Sequence, residues 1–287
     1  MNRPRVGHIQ YLNCLPLYDG LVRHDALLDI ELHKGTPTEL NRLLIGGQLD
    51  VSPISSIEYL RHADELLLMP DLTVSSDGAV KSIVLVSKVP AAALDGRTVA
   101  LTNTSATSHV LTQILLANRY AAHPAYFDCP PDLGRMLDEA DAALLIGDPA
   151  LRVHMQPPAG LHVYDLGTEW KALTGHPMVY AVWAVRRPFA AAAPALVNVV
   201  YRAFQQSLAY SLTNVEAIAA DAAQWEPFPA AALAAYFHTL RFTFDRAYRD
   251  GLHAYARHAQ ALGALDAVPA LEFAAVAEQP TDRYEAG

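Results

Sequence analysis

The stretch Thr98-Val99-Ala100-Leu101-Thr102-Asn103-Thr104-Ser105-Ala106-Thr107-Ser108-His109-Val110-Leu111 changes character twice. Residues 98–101 are β-branched or apolar and read as a strand. Residues 103–108 are small hydroxyl and amide side chains, the composition of a polar turn. Val110, Leu111, Ile114 and Leu115 then recur at helical spacing. In an open α/β sheet, a turn between strand and helix lies beyond the carboxyl end of the strand, where ligands bind.

The same unit recurs on both sides. Toward the C-terminus, 125–129 reads as a strand, 131–140 as a helix, and 142–146 as a buried strand ending in Gly147-Asp148. Residues 162–166 are strand-like, 168–174 form a short helix, and 178–185 are a strong β run. Beyond Pro188 the pattern is helical to about Leu262, and 269–287 read as a loosely held tail. Toward the N-terminus, 5–9 is a strand followed by a polar turn at 10–14, and 28–32 is a second strand. Thr36-Pro37-Thr38-Glu39 carries an N-cap hydroxyl, proline at the first helical position and glutamate at the third, which is a capping box. Residues 50–54 are a strand, Ser55-Ser56-Ile57-Glu58 opens a helix by the same logic, and 65–69 and 82–87 are apolar strands.

Alternating strands and helices followed by a helical block indicate an α/β chain of two lobes with a cleft between them. The apolar runs 82–87 and 178–185 bracket the middle third and suit crossovers. They place one lobe at 1–86 plus 182–287 and the other at 87–181, an arrangement that permits hinge closure.

Composition narrows the function. The chain has 287 residues, 52% hydrophobic and 18% charged, and is globular. Net charge is −9 with Lys and Arg scattered, which argues against nucleic-acid binding. No apolar run is long enough to span a membrane, and no secretory signal follows Met1, so a cytoplasmic protein is expected. Cys14 and Cys129 lie far apart; one disulfide is conceivable, and two reduced, buried thiols are the expectation. The twelve histidines show no zinc-ligand spacing. The glycine-rich dinucleotide fingerprint, the phosphate-binding loop and the serine nucleophile elbow are all missing.

Four polar turns occupy ligand-facing positions: 10–14, 53–56, 102–108 and Gly147-Asp148. Helix N-termini offer free N–H donors and suit a carboxylate or phosphate, and Thr107 and Ser108 add hydroxyls there. Each Ser or Thr could equally be a helix cap, and Asp148 either an N-cap or a cleft acid. His8 and His176 lie where they could approach the cleft. His24, His33, His62, His123 and His162 read as surface or packing residues. Trp170, Trp183 and Trp225 read as core, with Trp183 on a crossover strand.

Specific blocks carry a resemblance. Val6-Gly7-His8-Ile9-Gln10-Tyr11-Leu12-Asn13-Cys14-Leu15-Pro16-Leu17 and Asp50-Val51-Ser52-Pro53-Ile54-Ser55-Ser56-Ile57-Glu58-Tyr59 are similar to the first two blocks of the chorismate dehydratases of the futalosine route to menaquinone. Thr104 to Ser108, Tyr126 to Leu133, Ala140 to Asp148, Asp165-Leu166-Gly167 with Trp170, and Val182-Trp183-Ala184 resemble later blocks in the same order. The resemblance covers roughly residues 5–265. It implies a type II periplasmic-binding-protein-like fold used as a carbon–oxygen lyase. The implied reaction converts chorismate to 3-[(1-carboxyvinyl)oxy]benzoate and water, without metal or organic cofactor. Its implied partner is that small molecule alone, in a monomer or homodimer.

By position, Asn13 and Ser82 match the family's catalytic polar residues, and Thr107 and Ser108 match a helix N-terminus that would hold a carboxylate. Ser55, Ser56, Ser105, Gly147 and Asp148 complete the expected substrate contacts. A sister family that cleaves a cyclic futalosine derivative resembles this chain but carries a histidine base where Gly147 stands. That leaves the substrate's own enolpyruvyl carboxylate as the expected proton acceptor, with Asp148 as its rival. A non-catalytic small-anion binder of the same fold is the remaining alternative.

Overall fold

The computed structural model describes residues 3–23, 27 and 29–277. The expectations for His24, for Leu28 as the start of a strand, and for the tail at 278–287 fall outside those residues.

The chain begins with β1 (Arg5–Ile9), α1 (Leu15–Arg23), β2 (Glu31–Gly35), α2 (Pro37–Ile45), β3 (Val51–Ser55), α3 (Ser56–Arg61) and β4 (Leu66–Ser76). Its middle runs through β5 (Ile83–Ser87), β6 (Thr98–Thr102), α4 (Thr107–Tyr120), β7 (Ala125–Cys129), α5 (Leu133–Glu139), β8 (Ala142–Ile146), α6 (Gly147–Met155), β9 (His162–Asp165) and α7 (Leu166–Thr174). It returns in β10 (Met178–Arg186) and closes with α8 (Arg187–Ala192), α9 (Pro194–Thr213), α10 (Val215–Ala222), α11 (Ala230–Phe237) and α12 (Arg246–Ala261).

Two five-stranded sheets result, ordered β2-β1-β3-β10-β4 and β7-β6-β8-β5-β9. In the first, β1 is parallel to β2 and β3, while β10 lies antiparallel between β3 and β4. The second repeats the plan, with β5 antiparallel between β8 and β9. In each sheet the antiparallel inner strand is the one that follows a crossing from the other sheet. The sequence-based boundaries at 86/87 and 181/182 fall within β5 and β10, and pairing keeps both strands whole, β5 in the second sheet and β10 in the first. The chain crosses at 77–82 and 175–177.

Position in the sheet explains the sequence pattern. Strands β5 and β8 are buried along their whole length, because neighbours flank them and helices cover both faces. They therefore read as continuous apolar runs and not as alternation. Strand β4 is longer than the 65–69 run suggested. Pro70, followed by Asp71 at φ +52°, interrupts its pattern, which an edge strand tolerates.

The capping box at Thr36 forms as expected. The Thr36 hydroxyl accepts from Glu39 N at 3.4 Å, and the Glu39 carboxylate accepts from Thr36 N at 2.8 Å. Ser55 makes no such cap on α3, because Asn41 has engaged it: Ser55 N donates to Asn41 Oδ1 and Asn41 Nδ2 donates to Ser55 Oγ, both at 3.0 Å.

Helix α1, which no sequence expectation covered, packs on α9 so closely that a Cβ on Gly20 would lie 2.6 Å from Ser207 Cα.

Trp170 and Trp183 are core residues, whereas Trp225 is 87% exposed. It lies beyond α10, past the Val215, Ile218 and Ala219 face that the helix buries. The tail is held further than expected: Leu68 N donates to Glu272 O and Ala274 N to Leu68 O, so 272–274 satisfy the free edge of β4. Cys14 and Cys129 are both free thiols, Cys14 buried and Cys129 half-buried.

Candidate functional site

The carboxyl ends of β1, β3, β6 and β8 meet at one cavity between the two sheets. Asn13, Ser55, Ser82, Ser105, Ser108 and Gly147 line it together with Tyr11 and Tyr180; Ile9, Val74 and Ile146 are among its apolar walls. Six of the nine residues expected from the sequence thus converge. The lining contains no Asp, Glu, Lys, Arg or His. The cavity is narrow, about 40 Å³ of space open to the centre of a water molecule.

Each polar group has a local reason for its position. Asn13 sits on the short turn between β1 and α1, and its Oδ1 is buried without a hydrogen-bond partner. An unmet buried acceptor is costly unless a ligand donor completes it. Ser82 precedes β5 and is buried; its Oγ donates to Val80 O across a loose 3.4 Å and also meets the Tyr236 hydroxyl. Burial pushes that tyrosine's pKa far up, so it stays a neutral phenol. Ser105 Oγ accepts from Ser108 N and donates to Ser108 Oγ, capping α4 at the cavity. The α4 macrodipole therefore presents its positive end to whatever occupies the space.

Gly147 N donates to Ser82 O at 2.8 Å, which extends the β5–β8 ladder from the end of the first crossing to the start of α6. The residue has φ +64°, and a Cβ there would lie 2.8 Å from the Tyr11 ring. Only glycine satisfies both constraints.

Asp148 does not line the cavity. Its Oδ1 accepts from Leu12 N at 3.1 Å, tying α6 to the turn that carries Tyr11 and Asn13. Burial pushes its carboxyl up to about 6, partly opposed by the Leu12 hydrogen bond. Ser56 and Thr107 also stand outside the lining, because both are taken by cross-links. Ser56 Oγ donates to Val179 O at 2.8 Å, and Thr107 Oγ1 accepts from Ile57 N at 3.3 Å. Neither His8 nor His176 lines the cavity. His8 stacks on Tyr18 at 3.7 Å, and desolvation lowers its pKa to about 4, so it is a neutral packing residue.

The sequence reading passed over Tyr11 and Tyr180 as site residues. Tyr180 comes from β10, distant in sequence from every turn considered, and no local pattern marks it. Asp165 was also passed over as a structural residue. Its carboxylate accepts from Val80 N, Lys81 N and Thr168 N at 3.1, 2.6 and 2.9 Å, clamping the first crossing to the N-terminus of α7. Among the described residues no cluster of His, Cys, Asp and Glu could hold a metal ion, and no helix is long and apolar enough to cross a membrane.

Comparison with known proteins adds independent support. Residues 4–261 match a family model described as menaquinone biosynthesis. The chain is 38% identical over 200 residues to a chorismate dehydratase of Thermus thermophilus, covering 64% of this chain and 71% of that one. It is 30% identical over 179 residues to a chorismate dehydratase of Campylobacter jejuni, covering 61% and 64%. In structure it resembles a protein from Archaeoglobus fulgidus (TM-score 0.73, 21% identity, 92% and 98% covered). It also resembles the periplasmic aliphatic sulphonate binding protein of Escherichia coli (TM-score 0.66, 16% identity, 100% and 97% covered). The fold is accordingly periplasmic-binding-protein-like.

Proposed function

The chain belongs to the menaquinone biosynthesis family, and from that premise we propose that it is a chorismate dehydratase acting in the cavity between its two sheets. The reaction converts chorismate to 3-[(1-carboxyvinyl)oxy]benzoate and water, in the cytoplasm. The lobes that close on the substrate are those drawn from the sequence with both boundaries moved to the crossings at 77–82 and 175–177, so that β5 stays with the second sheet and β10 with the first.

One observation carries the mechanism: the cavity is walled by hydroxyls, an amide and a helix N-terminus, with no carboxylate or imidazole among its lining residues. The chemistry asks for little more. The ring proton beside the enolpyruvyl ether is acidified because the ring carboxylate, through the diene, accepts the charge left by its loss. Departure of the neighbouring hydroxyl then yields an aromatic ring. The substrate's enolpyruvyl carboxylate takes the proton and passes it to the leaving hydroxyl, so one water is released and no charge is left over. The protein's contribution is to hold the reacting groups in register and exclude water. In this reading Ser105, Ser108 and the α4 N-terminus hold the ring carboxylate, while Asn13 and Ser82 orient the enolpyruvyl arm and the hydroxyl. Asp148 acts behind them, holding the Asn13 turn.

The test pairs three variants on chorismate, with products followed by chromatography and mass detection. Asn13→Ala and Ser82→Ala should each lower kcat by about a hundredfold or more, the scale of losing a positioning or electrostatic contact in the transition state. Asp148→Asn should stay within about tenfold of wild type, since the amide oxygen still accepts from Leu12 N. The reverse pattern would make Asp148 the base. Binding of chorismate with no turnover by wild-type protein would favour a small-anion binder, the activity of its structural neighbour from Escherichia coli.

A further inference from the structure

A second cavity lies on the flank of the molecule and shares no lining residue with the first. It measures about 600 Å³, within the size range of ligand pockets. Its polar lining is Lys81, Arg152, His154 and Gln156, and its apolar lining includes Met155 and Phe228. No carboxylate lines it. The Arg152 guanidinium has no ion pair or hydrogen bond among the described residues, and Lys81 Nζ donates only to a carbonyl, Ala235 O, at 2.9 Å. The nearest carboxylates are committed elsewhere or stand outside the lining. Asp148 holds Leu12 N, Asp165 holds three backbone N–H groups, and Glu226 precedes Pro227 at the rim without pairing to Arg152.

The geometry points to a built feature. Lys81 has φ +63°, a left-handed conformation that a lysine adopts at a cost, and Asp165 fixes it there by accepting from its N–H. The side chain thereby reaches α11 and forms one wall. Arg152, His154 and Met155 come from α6, which packs on the second sheet, whereas Phe228 and Ala235 belong to the α10–α11 region, where α10 packs on α1 and α9. Lys81 belongs to the crossing between them.

We propose that this cavity is a second binding site, distinct from the catalytic one, for a small carboxylate with an apolar or aromatic body of about benzoate size. Arg152 and Lys81 face the carboxylate, the neutral His154 supplies a further N–H, and Phe228 and Met155 cover the ring. Because its walls come from both lobes, an occupant favours the arrangement in which those walls are together, and so biases the hinge.

The probe is para-fluorobenzoate, titrated into the purified chain and followed by fluorine NMR, with para-fluorobenzamide as its uncharged counterpart. Neither titration depends on turnover, so the outcome is independent of the catalytic assignment. The acid should bind saturably and the amide about tenfold or more weakly, the scale of one charge-assisted contact. Arg152→Gln, an exposed substitution that leaves the fold intact, should weaken the acid by about tenfold. Ala232→Trp, which fills the cavity, should abolish that site. Absence of acid binding, equal binding of acid and amide, or binding unchanged in both variants would each overturn the proposal.

Discussion

Two titrating residues set opposite pH trends. Asp148 titrates at about 6 in the folded chain against 3.8 when unfolded. Between those values the folded state holds the additional proton, so this group's contribution falls as pH rises and remains unfavourable above 6. Asp148→Asn should therefore raise stability at neutral pH by about 1–3 kcal/mol, and the two melting curves should converge below about pH 4. His8 behaves oppositely: its folded pKa is about 4 against 6.5 unfolded. Its contribution is complete above 6.5 and is lost as pH falls through 4, so His8→Gln should flatten the acid limb of a Tm-against-pH profile. At Gly147, alanine would combine a left-handed φ with a close approach to Tyr11. About 1–2 kcal/mol of stability should be lost, measured by denaturant titration, with a fall in turnover as the Tyr11–Asn13 turn is displaced.

Among the elements, the crossing at 77–82 is held most specifically. A Cβ on Gly167 would lie 2.3 Å from Gly78 O and 2.7 Å from the Tyr180 hydroxyl. Gly167→Ala should cost about 2–3 kcal/mol, since backbone and a buried phenol would both have to move. Asp165→Asn should speed amide hydrogen exchange at Lys81 or at Thr168, because the amide keeps one accepting oxygen for two N–H groups that meet different carboxylate oxygens. The elements also show what a sequence discloses. The α2 capping box and the buried runs of β5 and β8 were legible because their causes are local: a cap lies within four residues, and a central strand's burial is written in consecutive side chains. Ser56 and Thr107 carry hydroxyls at helix starts just as Ser55 and Ser108 do. What separates them is the partner each meets across the fold, Val179 O and Ile57 N, which no local pattern encodes. The plan shared by the two sheets was equally hidden, because strand order is set by pairing between distant segments and leaves no periodic sequence.

For the molecule as a whole, the two lobes are described in a shut arrangement. Leu12 to Asp148, Thr38 to Asn103 O and Ile57 to Thr107 are bonded across the cleft. The enclosed space of about 40 Å³ is far below the range that holds a small-molecule ligand, so admission requires opening. X-ray scattering should give a radius of gyration above the roughly 19 Å of a single compact body of this length without ligand, and a smaller value with a substrate analogue. An unchanged radius would remove the hinge from the mechanism.

The order of strands also governs assembly on the ribosome. Every strand of the second sheet lies between residues 83 and 165, so that sheet has all its parts while the chain is still emerging. The first sheet does not: β3 and β4 never pair with each other and wait for β10, which fits between them only after the whole second sheet has been made. Until then β3 and β4 present unpaired apolar edges to the cell, and the late insertion of β10 is a non-local, slow step. A nascent chain stalled before residue 178 should consequently carry one finished half and one that chaperones still need to shield.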